Sequence, residues 1–128
     1  MILIVDDYQP FRNTLKKWLN SSLAAYPVQE AATGEEALAQ AEIHRPSVVL
    51  MDVVLPDMNG IEVTRKIKAL LPDTHVIILS YYETDRYRTD AAAAGVEAYI
   101  AKRQMHEQLL PLLKTLLLVP TSTTPLDS

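Results

Sequence analysis

Five short apolar runs punctuate the chain, and nearly every one ends on a polar or charged residue. Ile2–Val5 is β-branched, too short for a helix, and stops at Asp6-Asp7. That pattern predicts a strand buried on both faces. The run from Val48 to Met51 is of the same kind and meets Asp52, after which Pro56, Asp57, Asn59 and Gly60 break the pattern. Residues 75–79 lead into Ser80, and residues 96–101 lead into Lys102. Residues 27–31 form a weaker second strand. Between these runs the period changes to that of a helix. Phe11, Leu15, Trp18 and Leu19 share one helical face, with Pro10 in the first turn. Thr33 and Glu36 have the spacing of a capping box opening a second helix, with Ala37, Leu38 and Ala41 inward, and Pro46 stops any continuation. Asn59 caps a third helix carrying Val63, Ile67, Leu70 and Leu71 inward, ended by Pro72-Asp73. Residues 81–85 read as a polar loop, residues 86–94 as an alanine-rich helix closed by Gly95, and residues 105–118 as a last helix that Pro111 should bend or delay.

Strand and helix therefore alternate five times with short connections. This predicts an α/β fold, a doubly wound five-stranded parallel sheet with helices on both faces. In such a sheet the carboxyl ends of the strands lie along one edge, where ligands bind. Asp6, Asp7, Asp52, Ser80 and Lys102 all fall at those ends. An acid at the end of a buried strand costs free energy unless it is paired or solvated.

Composition narrows the chemistry. The length of 128 residues is that of one domain, and 48% apolar residues suffice for a core. A net charge of −4 argues against nucleic acid as a ligand of this segment. The absence of cysteine excludes disulfides and thiolate metal sites. No apolar run is long enough to span a bilayer and the start lacks a signal peptide, so the expected compartment is the cytoplasm. His44, His75 and His106 have no metal-ligand spacing and read as surface residues. Asp57 and Asp73 read as turn residues, and Tyr81 and Tyr82 as loop packing.

Three carboxylates in one crevice need a counter-charge. A hard divalent cation such as Mg²⁺, which takes oxygen ligands, supplies it. Lys102 adds a point charge suited to a phosphoryl oxygen, Ser80 a hydroxyl donor, and Asp52 a nucleophile toward phosphorus.

The runs Ile2–Val5 with Asp6-Asp7, Met51-Asp52 through Pro56 to Gly60, Leu79-Ser80, Ala94-Gly95 through Tyr99, and Lys102 together resemble the response-regulator receiver domains of two-component signalling. The resemblance covers residues 1–118 as a receiver domain and leaves 119–128 as a disordered tail or linker. It implies a flavodoxin-like (βα)5 fold with strand order 2-1-3-4-5. It also implies that Asp52 accepts a phosphoryl group from a sensor histidine kinase or phosphotransfer protein. Asp6, Asp7, Asp52 and the Val54 carbonyl would hold Mg²⁺, and Ser80 and Lys102 would engage the phosphoryl oxygens. Tyr99 matches the aromatic switch position that follows Ser80. Two residues depart from the pattern. Receivers often carry proline after the lysine, where Arg103 stands, and a small residue after the hydroxyl, where Tyr81 stands. The style of the sequence leans toward receivers attached to helix-turn-helix transcription outputs, for which no room is expected after Leu118.

Three other readings are open. One is a degenerate receiver that serves as an unphosphorylated binding module. A second is an aspartate-nucleophile phosphatase, which would want an acid where Val54 stands. The third is a flavin protein, which would want a Ser/Thr/Gly-rich loop where Asp6-Asp7-Tyr8-Gln9-Pro10 stands. The seven leucines from Leu109 to Leu118 exceed what one core face needs, which leaves surface for a partner or a second copy of the chain.

Overall fold

In the computed structural model, which describes residues 1–118, each apolar run forms a strand. The strands are β1 (Ile2–Val5), β2 (Val28–Ala31), β3 (Val48–Met51), β4 (His75–Ser80) and β5 (Ala98–Ala101). The helices are α1 (Gln9–Ser22), α2 (Gly34–His44), α3 (Gly60–Leu70), α4 (Asp85–Ala94) and α5 (Met105–Leu118). All strand pairs are parallel, in the order β2-β1-β3-β4-β5. The expected sheet and order are therefore present. The predicted tail at 119–128 lies outside the described residues.

Strand alternation divides the interior into two cores. Leu3, Val5, Val49, Met51, Val76 and Ile78 face α2, α3 and α4, where they meet Ala37, Ala41, Ile61, Val63, Ile67 and Ala91. Ile2, Ile4, Val48, Leu50, Ile77 and Leu79 face the other way, onto Leu15 and Leu19 of α1 and Leu109 and Leu113 of α5. Both faces of the central strands are thus covered, which is why they read as continuous apolar runs.

The sequence signals for helix starts hold, with one refinement. Thr33 Oγ1 accepts from the Glu36 N–H at 3.0 Å, but Glu36 reaches back to the N–H of Ala32, at 2.6 Å, rather than to Thr33 itself. Asn59 Oδ1 accepts from the Ile61 N–H at 2.7 Å. Gly95, at φ 94°, closes α4 in the left-handed region that favours glycine.

Several boundaries differ from the sequence expectation. β2 begins at Val28 because Pro27 has no N–H for the ladder; its carbonyl accepts from Ile2 instead. β5 begins at Ala98 because the Val96 N–H is still bonded to Ala91 in the close of α4. α4 takes in Asp85, since Thr84 caps it through the Tyr87 N–H. Of the two leucines expected inward at the end of α3, Leu71 is buried and Leu70 is exposed. Pro111 does not delay α5, which starts six residues before it, after a 3-10 turn at Lys102–Gln104. The leucine surplus of α5 is smaller than composition implies. Leu110, Leu112, Leu116 and Leu117 pack against the same core as Leu109 and Leu113, and only Leu118 among the leucines of α5 is exposed.

Candidate functional site

Parallel register aligns the strand ends. Val5 pairs with Met51, so Asp6 and Asp52 emerge side by side. Ser80 pairs with Ala101, which sets the serine beside the start of the Lys102 turn. Asp6, Asp7 and Asp52 each offer a carboxylate oxygen within 4.8 Å of the other two. Asp6 is buried, Asp7 exposed and Asp52 between them. The three carboxylates and Lys102, drawn from three separate strand ends, thus lie together, and the register sets Ser80 at the same edge of the sheet.

The partners of each group are specific. Asp6 accepts from the Tyr8 N–H through Oδ1 at 2.9 Å and from Lys102 Nζ through Oδ2 at 2.6 Å. Its backbone carbonyl accepts from the Arg12 guanidinium at 2.6 Å. Lys102 Nζ lies 3.6 Å from Asp52 Oδ2, an ion pair without a direct hydrogen bond. Burial pushes the Asp52 carboxyl up to about 6; the Lys102 charge opposes the rise and the Asp6 charge adds to it. The lysine therefore offsets only part of the cost of burying the acid that follows the central strand.

The buried Ser80 hydroxyl accepts from the Tyr82 N–H at 3.0 Å. The Tyr99 hydroxyl donates to the Tyr82 carbonyl, and the Arg88 guanidinium lies over the Tyr99 ring at 4.7 Å. Burial raises the Tyr99 hydroxyl above the ordinary phenol range, with the neighbouring Ser80 hydroxyl opposing. Serine and tyrosine thus grip the same loop residue, one through its N–H and the other through its carbonyl. Arg103 makes a two-pronged ion pair with Glu83, at 3.0 and 2.9 Å, and Arg88 joins at 3.4 Å. The residue that departs from the receiver pattern after Lys102 therefore fastens the β4–α4 loop to the end of β5. Among the described residues no peptide bond is cis.

Other residues did not announce their place in the sequence. Phe11, assigned to the core face of α1, sets its ring 4.1 Å from Lys102 Nζ. The available signal was its position in the first turn after Asp6-Asp7, at the ligand edge. Tyr81 also faces the lysine, at 4.8 Å, whereas Tyr82 packs edge-on against Tyr87 as expected of loop packing. Asp57 is more than a turn residue. Its two oxygens accept from the N–H groups of Gly34 and Glu35 at 2.8 and 2.9 Å, so the loop after Asp52 caps α2. No local pattern carries that information, because the contact spans more than twenty residues. His75, at the start of β4, pairs with Glu97 at 2.7 Å, and His106, which lines one pocket with Phe11, Tyr81 and Lys102, meets Trp18 edge-on.

Residues 2–114 match the sequence model of the response regulator receiver domain. The chain belongs to that family. It is 33% identical over 113 residues to the transcriptional regulatory protein DegU of Brevibacillus brevis, covering 88% of this chain and 48% of that protein. It is 37% identical over 101 residues to the response regulator protein VraR of Staphylococcus aureus, covering 79% of this chain and 48% of that protein. This receiver domain thus spans about half the length of the curated relatives it matches. Among solved structures, a response regulator of Burkholderia pseudomallei, crystallised with a phosphorylated aspartic acid, a calcium ion and citrate, superposes with a TM-score of 0.78 at 25% identity. That alignment covers 90% of this chain and 65% of the other. Among the described residues of the receiver, no helix is long and apolar enough to cross a membrane.

Proposed function

We propose that this receiver domain is a phosphorylation switch in which Asp52 takes a phosphoryl group from the phosphohistidine of a sensor kinase or phosphotransfer protein. The observation that carries the reading is the placement of Asp52. It stands on the central strand, beside two further carboxylates and 3.6 Å from a buried lysine. In the transfer, an Asp52 carboxylate oxygen bonds to phosphorus, the P–N bond breaks, and its electron pair stays on the imidazole nitrogen. Lys102 and Ser80 meet the charge on the transferred oxygens. In the resetting hydrolysis, water attacks phosphorus, the bond between phosphorus and the Asp52 oxygen breaks, and phosphate and the free carboxylate are released.

The donor set fits a hard divalent cation: three carboxylates with oxygens close enough to share one ion, and no softer ligand among them. Asp6, Asp7 and Asp52, with the Val54 carbonyl, would hold Mg²⁺. When bound, the ion would offset the charge shared by the carboxylates and the phosphoryl oxygens. The calcium ion and phosphorylated aspartate of the Burkholderia relative support this reading. The product is a state of the protein rather than a released metabolite, so the chain acts as a switch and not as an enzyme with turnover on an outside substrate.

The readout runs through Ser80, the Tyr82 peptide and Tyr99. A phosphoryl oxygen that recruits the Ser80 hydroxyl frees the Tyr82 N–H and lets the Tyr99 ring turn. DegU and VraR, named as transcriptional and response regulators, support control of transcription as the output, with 1–118 as the receiver unit, 119–128 as a linker, and the cytoplasm as the compartment.

The test is intact mass after incubation with acetyl phosphate, with and without Mg²⁺, beside Asp52→Asn. A Mg²⁺-dependent gain of one phosphoryl group, absent in the variant, is the expected result. No adduct, together with no binding of beryllofluoride, would replace this reading with an unphosphorylated binding module.

A further inference from the structure

Lys102 is held in an unusual way. Its ammonium is almost fully buried, yet it has one short hydrogen bond, to Asp6, and an ion pair to Asp52 too long for another. Two aromatic rings complete its surroundings, Phe11 at 4.1 Å and Tyr81 at 4.8 Å from their centroids. A ring face attracts a cation without accepting a proton or cancelling its charge. Carboxylates in the same two places would neutralise the lysine, and aliphatic side chains would leave it poorly solvated. The four-carbon stem of lysine also has considerable freedom to lose when its head is fixed. The two rings come from different elements, α1 and the loop after β4, so together they confine the ammonium without occupying its remaining N–H donors.

We propose that Tyr81 and Phe11 form an aromatic clamp that positions Lys102 to meet an oxyanion on Asp52, so that Tyr81 is a positioning residue for phosphoryl binding. The inference rests on the receiver reading given above, and deepens it. Once Mg²⁺ draws on Asp6, the carboxylate that holds the lysine has less charge to offer it. The rings are unaffected by that change and keep the ammonium close to the site. A bulky residue after Ser80, the departure from the receiver pattern, thereby has a chemical purpose here.

Tyr81 is 70% exposed, so substitutions there leave the cores intact. The first readout needs no metal. The Lys102 Hε protons lie near two ring faces and should resonate upfield of other lysines. Tyr81→Phe should preserve that shift, and Tyr81→Leu should lose part of it. The second readout is the affinity for beryllofluoride in saturating Mg²⁺. Tyr81→Leu should weaken it about three- to tenfold, the range that a cation–π contact supplies, while Tyr81→Phe stays within about twofold of the parent. Affinity for Mg²⁺ alone should be the same in all three proteins. Phe11→Leu, if folded, should reproduce the Tyr81→Leu loss. Equal beryllofluoride affinity in Tyr81→Leu and the parent would overturn the clamp and leave the receiver reading standing. Failure of the parent itself to bind beryllofluoride would overturn both.

Discussion

At the scale of single residues, the site is a matter of charge compensation. Lys102 is the counter-charge of the acidic cluster and forms a buried pair with Asp6, and removing one partner of such a pair leaves the other uncompensated. Lys102→Met should therefore lower the unfolding free energy by about 3 kcal/mol in EDTA, measured by urea titration. Added Mg²⁺ should restore more stability to the variant than it adds to the parent, because it replaces the missing charge. An equal Mg²⁺ increment in both proteins would mean that lysine and cation do not share the cluster. Asp57 obeys the opposite arithmetic. The N–H groups of Gly34 and Glu35 hold its carboxyl below the ordinary value of 3.8. A depressed acid contributes stability above its unfolded pKa and loses it as pH falls through the folded one. Asp57→Ala should thus be less stable than the parent at neutral pH by a constant amount, and the gap should close as pH falls below about 3.8. Parallel stability curves down to low pH would show that the cap contributes through shape rather than charge.

At the scale of elements, the links between loops and helices set what the site tolerates. Gly60, the first residue of α3, is pressed against the backbone of the phosphoacceptor candidate. A Cβ there would stand 1.9 Å from the Asp52 carbonyl oxygen, which is backbone and cannot swing aside. Gly60→Ala should cost more than about 3 kcal/mol of stability, read by denaturant unfolding. Gly34→Ala meets chiefly the Met58 side chain, which can move, and should cost less. These contacts also mark how far the sequence can be read. Periodicity, capping residues and strand-end chemistry are local, so the five strands, the caps at Thr33 and Asn59, and the grouping of Asp6, Asp7, Asp52 and Lys102 were all legible. Asp57 on α2, Arg103 on Glu83 and Phe11 on Lys102 are tertiary contacts between segments with no shared pattern, and were not. Leu70 departs from the expectation because the helical pattern carries the apolar face through both adjacent leucines, whereas the helix stops at Leu70 and only Leu71, beyond it, turns inward. The start of β5 was misplaced because Val96 is apolar enough for a strand while its N–H is still engaged by α4.

At the scale of the whole molecule, the acidic crevice is not a local structure. Its members run from position 6 to position 102 and come together only when β1, β3, β4 and β5 are in register. The two cores lie on opposite faces of that one sheet, so loss of either face releases the strand ends that carry the carboxylates. The unfolded chain has no comparable cation site. A ligand that binds only the folded form stabilises it by RT ln(1 + [L]/Kd), about 2.7 kcal/mol at a hundredfold excess over Kd. The midpoint of thermal unfolding should therefore rise steadily with the logarithm of Mg²⁺ concentration above Kd, and return to its starting value on addition of EDTA. Asp6→Asn and Asp52→Asn should flatten the dependence, since each removes a carboxylate from the cluster. Glu97→Gln, at the opposite edge of β5 beside His75, should leave it unchanged. A midpoint that ignores Mg²⁺ in the parent would mean that Lys102 alone satisfies the acids. The switch would then be set by the lysine's ion pair with Asp6, and phosphoryl chemistry at Asp52 would have to proceed without the cation.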